Sequence, residues 1–169
     1  DIPMDWIVTE KNGSQVEGPA LQILRKQLSN DPRVRASYDT QAYVLGRDFA
    51  AEGMQAGRFN TVEEGQGVWA QETIQRIAQN NALILEDQTT KVSDLQNINV
   101  RWSNYEENIG IIPGSDDDKL RREQLSIYEK TKLDMEASQT IDNIIQAPAG
   151  DLNTQLRTAY QLLMLTNLD

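Results

Sequence analysis

From Asp31 onward the apolar positions of this chain recur three and four residues apart, the interval that keeps side chains on one face of an α-helix. Val34, Tyr38, Ala42, Leu45 and Phe49 form one such face, behind an Asp31-Pro32 pair suited to an N-cap and a first helical residue. Gly53 and Gly57 weaken the pattern, and the helix is expected to end near residue 57. Thr61 and Glu64 then have capping-box spacing. Gly65 and Gly67 count against helix, so the firm part of the next segment is expected from Val68. No proline interrupts it before Asn108. Along it Ile77 and Ile84 hold one face, and Leu95, Ile98, Trp102, Tyr105 and Ile109 continue it at spacings of three and four. This predicts a buried, coiled-coil-like seam broken by Asn81, Gln88 and Lys91. A rod of roughly 40 residues would be about 60 Å long.

The stretch "GIIPGSDDDKLRRE", residues 110–123, sets three aspartates behind a Pro-Gly turn. Ser115 stands before a helical pattern, and Asp116, Asp117 and Asp118 fall in its first turn. There the unpaired N–H groups and the positive end of the helix dipole favour anions. Arg121 and Arg122 can meet those carboxylates across one turn. A calcium loop needs alternating oxygen ligands, a glycine at the sharp turn and a distant Glu, and that spacing is absent. Ser115 is therefore expected to cap a helix reaching Gln146, with no metal bound. Leu120, Ile127, Ile141 and Tyr128, Met135, Ile145 give that helix a broad apolar stripe. "APAGD" breaks it, and Asp151 opens a last helix on Leu152, Leu156, Ala159 and Leu163.

Ahead of all this, residues 1–16 read as an extended arm with a turn at Asn12-Gly13, and Pro19 to Leu28 as a short helix on Leu21, Leu24 and Leu28. The expected fold is all-α: an elongated bundle over residues 17–169, with two long antiparallel helices, shorter flanking helices and the N-terminal leader.

Composition sharpens this picture. Apolar residues make up 38% of the 169, short of the roughly 45–50% of an average globular domain. An elongated shape, or burial completed by partner subunits, fits that shortfall better than a compact sphere. The net charge of −10 argues against nucleic acid as the main ligand, because phosphate binding needs clustered cations. Neither Cys nor His occurs, which removes disulfides, thiol catalysis, the commonest general base and the commonest neutral metal ligand from this chain. Paired carboxylates such as Glu63-Glu64 and Glu106-Glu107 are expected on solvated faces. No catalytic residue and no cofactor is expected. No run is long and apolar enough for a membrane span. Asn12-Gly13-Ser14 matches the glycosylation sequon, and a tight turn explains the same residues.

Three tryptophans are the remaining candidates for function. Trp102 falls on the expected seam. Trp6, with Ile7 in the leader, and Trp69, beside Gly65 and Gly67, are the candidate partner-binding residues, since aromatic anchors are enriched in interfaces. Packing of the leader on the bundle is the competing explanation. The chain holds sixteen glutamines, nearly all on the expected helices. With Ile2-Pro3 near the start and "AGDLNTQLRTAYQLLML" at 149–165, they resemble the minor pilus components of conjugation and type IV secretion machines. That resemblance implies a bacterial or phage assembly part. The expected function is a non-enzymatic structural subunit of a virion, secretion or conjugation apparatus, whose partners are protein subunits. A monomeric adaptor for one protein partner is the alternative. Asp1 reads as a processed or trimmed start, and a virion or extracytoplasmic location is favoured over the cytoplasm.

Overall fold

The computed structural model describes residues 7–9, 15–17 and 31–166. Two short strands, β1 (Ile7–Thr9) and β2 (Gln15–Glu17), pair antiparallel, with Ile7 opposite Glu17 and Val8 opposite Val16. β2 thus runs one residue past the arm boundary expected at residue 16. Trp6, the Asn12-Gly13 turn and the expected helix over Pro19 to Leu28 lie outside the described residues.

The rest is all-α. Four helices follow: α1 (Pro32–Gln55), α2 (Val62–Asn108), α3 (Asp116–Gln146) and α4 (Leu152–Thr166). Each begins where a side-chain oxygen takes up a free backbone N–H. Asp31 accepts from the Arg33 N–H, Thr61 from Glu64, Ser115 from Asp118 and Asp151 from Thr154. Asp31 and Asp151 titrate below the ordinary carboxylate value, chiefly because of these backbone bonds. α1 stops at Gly57, whose φ of 76° is open to glycine at little cost.

α2 starts at Val62 rather than Val68, and it carries Gly65 and Gly67 within its first turns. The reason is tertiary. α1 crosses α2 so closely that a Cβ on Gly65 would lie 2.4 Å from the Ala50 Cβ. Gly65, which weakens a helix in isolation, here permits two backbones to touch, and the packing gained outweighs about 1 kcal/mol of propensity. At 47 residues α2 is about 70 Å long.

The core gathers at one end. Ala42, Ala70, Leu156 and Ala159 form one buried cluster, and Ile77, Ile141, Leu162 and Leu165 a second beside it. α4 thus buries Leu156, Ala159, Leu162 and Leu165, while Leu152 and Leu163 of the expected stripe are half-buried. Arg157 of α4 ties back to Asp39 of α1 through two hydrogen bonds of 2.5 and 3.0 Å.

Beyond this body, among the described residues, α2 and α3 continue as a two-helix arm. Asn81 meets Ser138, Thr89 meets Met135, Trp102 meets Gln124 and Glu106 meets Arg121. Residue numbers rise along α2 as they fall along α3, so the two helices run in opposite directions.

Candidate interaction surface

Along the arm the inward positions of α2 are Asn81, Leu85, Gln88, Val92, Leu95, Asn99 and Trp102, a strict alternation of four and three. Those of α3 are Arg121, Gln124, Tyr128, Thr131, Met135 and Ser138. This is an antiparallel coiled-coil seam, and more than half of it is polar. Asn81 is buried and donates to the Ser138 carbonyl at 3.0 Å. The Trp102 indole N–H donates to Gln124 Oε1, and its ring meets Tyr105 edge-on at 5.8 Å. Gln88 Oε1 and Asn99 Nδ2 are enclosed without a hydrogen-bond partner.

The apolar stripe expected to be the buried seam coincides with the real one only in part: Leu95 and Trp102 lie on it, and Ile84 and Tyr105 do not. Ile77 is fully buried, and Leu95, Ile98 and Trp102 are half-buried. Ile84 and Tyr105, assigned to the same seam, are 42% and 37% exposed. On α3, Leu120 and Ile127 are 45% and 46% exposed, whereas Ile141 is buried. The cause is a second row. Ile77, Ile84, Lys91, Ile98 and Tyr105 recur every seven residues and lie one position round α2 from the seam. Ile141, Asp134, Ile127 and Leu120 form the matching row on α3. Both rows border the same side of the arm: Ile77, Ile84, Asp134 and Ile141 share one depression, and Ile98, Tyr105, Asp117 and Gln124 another.

α4 lies on this side. It covers Ile77 and Ile141 with Leu162 and Leu165, and it ends at Thr166, level with Ile84. Past that point the groove between the rows stays open among the described residues. Burial raises the Asp134 carboxyl above its ordinary value there, against the pull of Lys130.

At the far end of the arm Asp117 and Asp118 take separate roles. Asp118 is only 3% exposed; its carboxylate accepts from the Gly114 N–H at 2.9 Å and from Arg121 at 2.8 Å. The Gly114 bond is the main reason that its acid form is disfavoured, with Arg122 and Arg121 assisting. Arg121 also reaches Glu106 at 2.8 Å, and Asp117 faces the Tyr105 hydroxyl. Ser115 caps the helix and Asp118 reaches back to the residue before that cap, and together they pin the hairpin tip. Among the described residues, no three acidic side chains gather into a group able to hold a metal ion.

Of the candidate partner-binding residues, Ile7 sits in β1 opposite Glu17. Trp69 is half-buried on the body, in a groove of about 610 Å³ lined with Leu45, Phe49, Tyr160 and Met164. The open arm groove eluded the sequence reading. The seven-residue recurrence of Ile84, Ile98 and Tyr105 marks it, but only the position of α3 shows that the row is not the seam. No helix among the described residues is long and apolar enough to cross a membrane. No family model, no curated protein and no solved structure matches this chain.

Proposed function

We propose that this protein is a non-enzymatic structural subunit of a larger bacterial or phage assembly, acting through helix-mediated protein contacts. The observation that carries the reading is the arm. It holds polar residues where two helices meet and leaves Ile84, Leu120 and Ile127 in the open. A hairpin that turns apolar residues outward beside an enclosed polar seam is an incomplete surface, and a neighbouring chain can complete it. The absence of His and Cys and the low apolar fraction support the same reading. So does the resemblance of residues 149–165 to minor pilus components, which points to a secretion or conjugation appendage or to a virion.

The test is fractionation of the native source by size and by compartment. The expected result is co-migration with a particle, envelope or appendage of high mass. A free protein bound to one other polypeptide would favour the adaptor reading instead. That alternative draws on the groove at Trp69, Phe49 and Tyr160, which is large enough for an aromatic or aliphatic anchor.

A further inference from the structure

We propose that the open arm groove is the docking face for a second copy of this chain, packed face to face and antiparallel about a twofold axis level with Ile98 and Ile127. The proposal rests on the assembly reading above and names the partner at this surface.

Three observations lead to a second copy. The first is continuity. α4 already occupies the upper part of the groove, burying Ile77 and Ile141, so this side of the α2–α3 pair is built to receive helix. Below Thr166 no other described element covers the same two rows, which go on through the exposed Ile84 and Tyr105 and the half-buried Ile98 on α2 and the exposed Ile127 and Leu120 on α3. A helical neighbour continues there what α4 begins.

The second is area. The uncovered length from Ile84 to Ile109 is about 38 Å at 1.5 Å per residue, and two adjacent helices present a face about 20 Å wide. The product, about 760 Å² from each copy, matches the roughly 800 Å² per partner of a specific interface.

The third is charge, and it selects this chain as its own partner. Asp94 and Arg101 lie along the outer edge of the α2 row, four residues before and three after Ile98. Glu123 and Lys130 stand in the same relation to Ile127 on α3. The antiparallel pairing already set by Trp102–Gln124 and Glu106–Arg121 puts Ile98 and Ile127 at one level. A twofold axis in the interface at that level lays α2 on α2 and α3 on α3, each reversed. Asp94 then meets Arg101 of the other copy, and Glu123 meets Lys130, twice each. Among the described residues Asp94, Arg101 and Glu123 take part in no ion pair within the chain. The same operation carries the exposed tip residues Ile109 and Ile112 to the level of Ile84, where α4 ends. Isologous contacts of this kind need a self-complementary face, and both charged edges supply one.

The chain contains no cysteine, so single introduced thiols report contacts cleanly. Under mild oxidation Ile98→Cys, next to the axis, should form a symmetric disulfide dimer. Ser103→Cys, on the opposite side of the arm, should stay monomeric. Sedimentation of the full chain should show a monomer–dimer equilibrium in about the micromolar range. Arg101→Asp should weaken it about tenfold, and adding Asp94→Arg should restore it, because the swapped charges meet again across the axis. Circular dichroism confirms that each variant keeps its helices. A monomer at every concentration, with the Ile98→Cys variant unlinked, overturns the proposal, whatever else then covers the groove. Equal cross-linking of the Ser103→Cys variant, or a double variant no tighter than Arg101→Asp, overturns it as well. If the native protein sits in a particle while Ile98→Cys fails to cross-link, the dimer is wrong and the assembly reading stands. Disulfide dimers of Ile98→Cys from a protein found in no particle give the reverse.

Discussion

Ser115 and Asp118 show how two short side chains hold the hairpin together. Ser115 accepts the Asp118 N–H, Asp118 accepts the Gly114 N–H, and Arg121 carries the remaining carboxylate oxygen across to Glu106 on α2. Ser115→Ala is expected to cost about 1 kcal/mol in a chemical-denaturation midpoint. Asp118 titrates below its ordinary value of 3.8 when folded, so its stabilising effect is complete above that value. The effect is lost as pH falls through the lower folded value. Arg121, Arg122, Asp117 and Glu106 are the charges around it. In Asp118→Asn the acid limb of the stability profile should be shallower than in the parent. Asp134 works in the opposite sense. Its folded value is raised, so ionisation opposes folding as pH climbs through and beyond 3.8. Asp134→Asn should therefore raise the melting temperature at pH 7 and leave it unchanged below about pH 3.

Among the elements, the crossing of α1 and α2 and the seam of α2 and α3 depend on opposite devices. The crossing depends on absent side chains. Gly65→Ala puts a methyl group within 2.4 Å of Ala50, and unfolding should show a loss of about 2–3 kcal/mol, where a propensity argument predicts a gain. The seam depends on polar contacts, not all of which are satisfied. Gln88→Leu removes an enclosed oxygen without a partner and should stabilise the hairpin by about 1–2 kcal/mol. Asn81→Leu should not, because Asn81 donates to Ser138. Trp102 is half-buried, so Trp102→Ala should cost about 2–3 kcal/mol, below the roughly 3–5 kcal/mol of a fully buried ring. A loss under about 1 kcal/mol would mean that the indole contributes little beyond its bond to Gln124.

Across the whole molecule, stability is expected to be uneven. Helix residues 62–81 and 152–166 share both buried clusters, whereas among the described residues neither cluster includes any of 85–108 or 116–134. Local opening scales inversely with such cover. Amide hydrogen exchange should be slowest around Ala70 and Ile77 and faster in the arm, with the difference shrinking as concentration rises if a second chain covers the groove. Equal protection along all of α2 in dilute solution would show that the arm needs no further cover. The uneven distribution also explains the composition. Four helices share enough apolar residues for one core at one end, and the arm must make do with polar pairs.

The four described helices, the caps at Asp31, Thr61, Ser115 and Asp151, and the break at residues 147–151 were all legible in the sequence. Each follows from chemistry within a few residues: a free N–H, an oxygen two or three positions away, a proline, a glycine with positive φ. Gly65 was legible only as a weak point, because what it serves is Ala50, a neighbour fifteen residues upstream. The placement of Ile84, Ile98, Tyr105 and Ile127 was decided by tertiary structure alone. A helix carrying two adjacent heptad rows reads as one broad apolar face, and local spacing cannot say which row a partner helix will take. α3 takes the seam containing Asn81, Gln88 and Asn99, α4 takes the upper part of the neighbouring row, and no other described element covers the remainder. A periodic stripe records that a surface is to be buried; where it is buried, and by which helix, is a property of the packed whole.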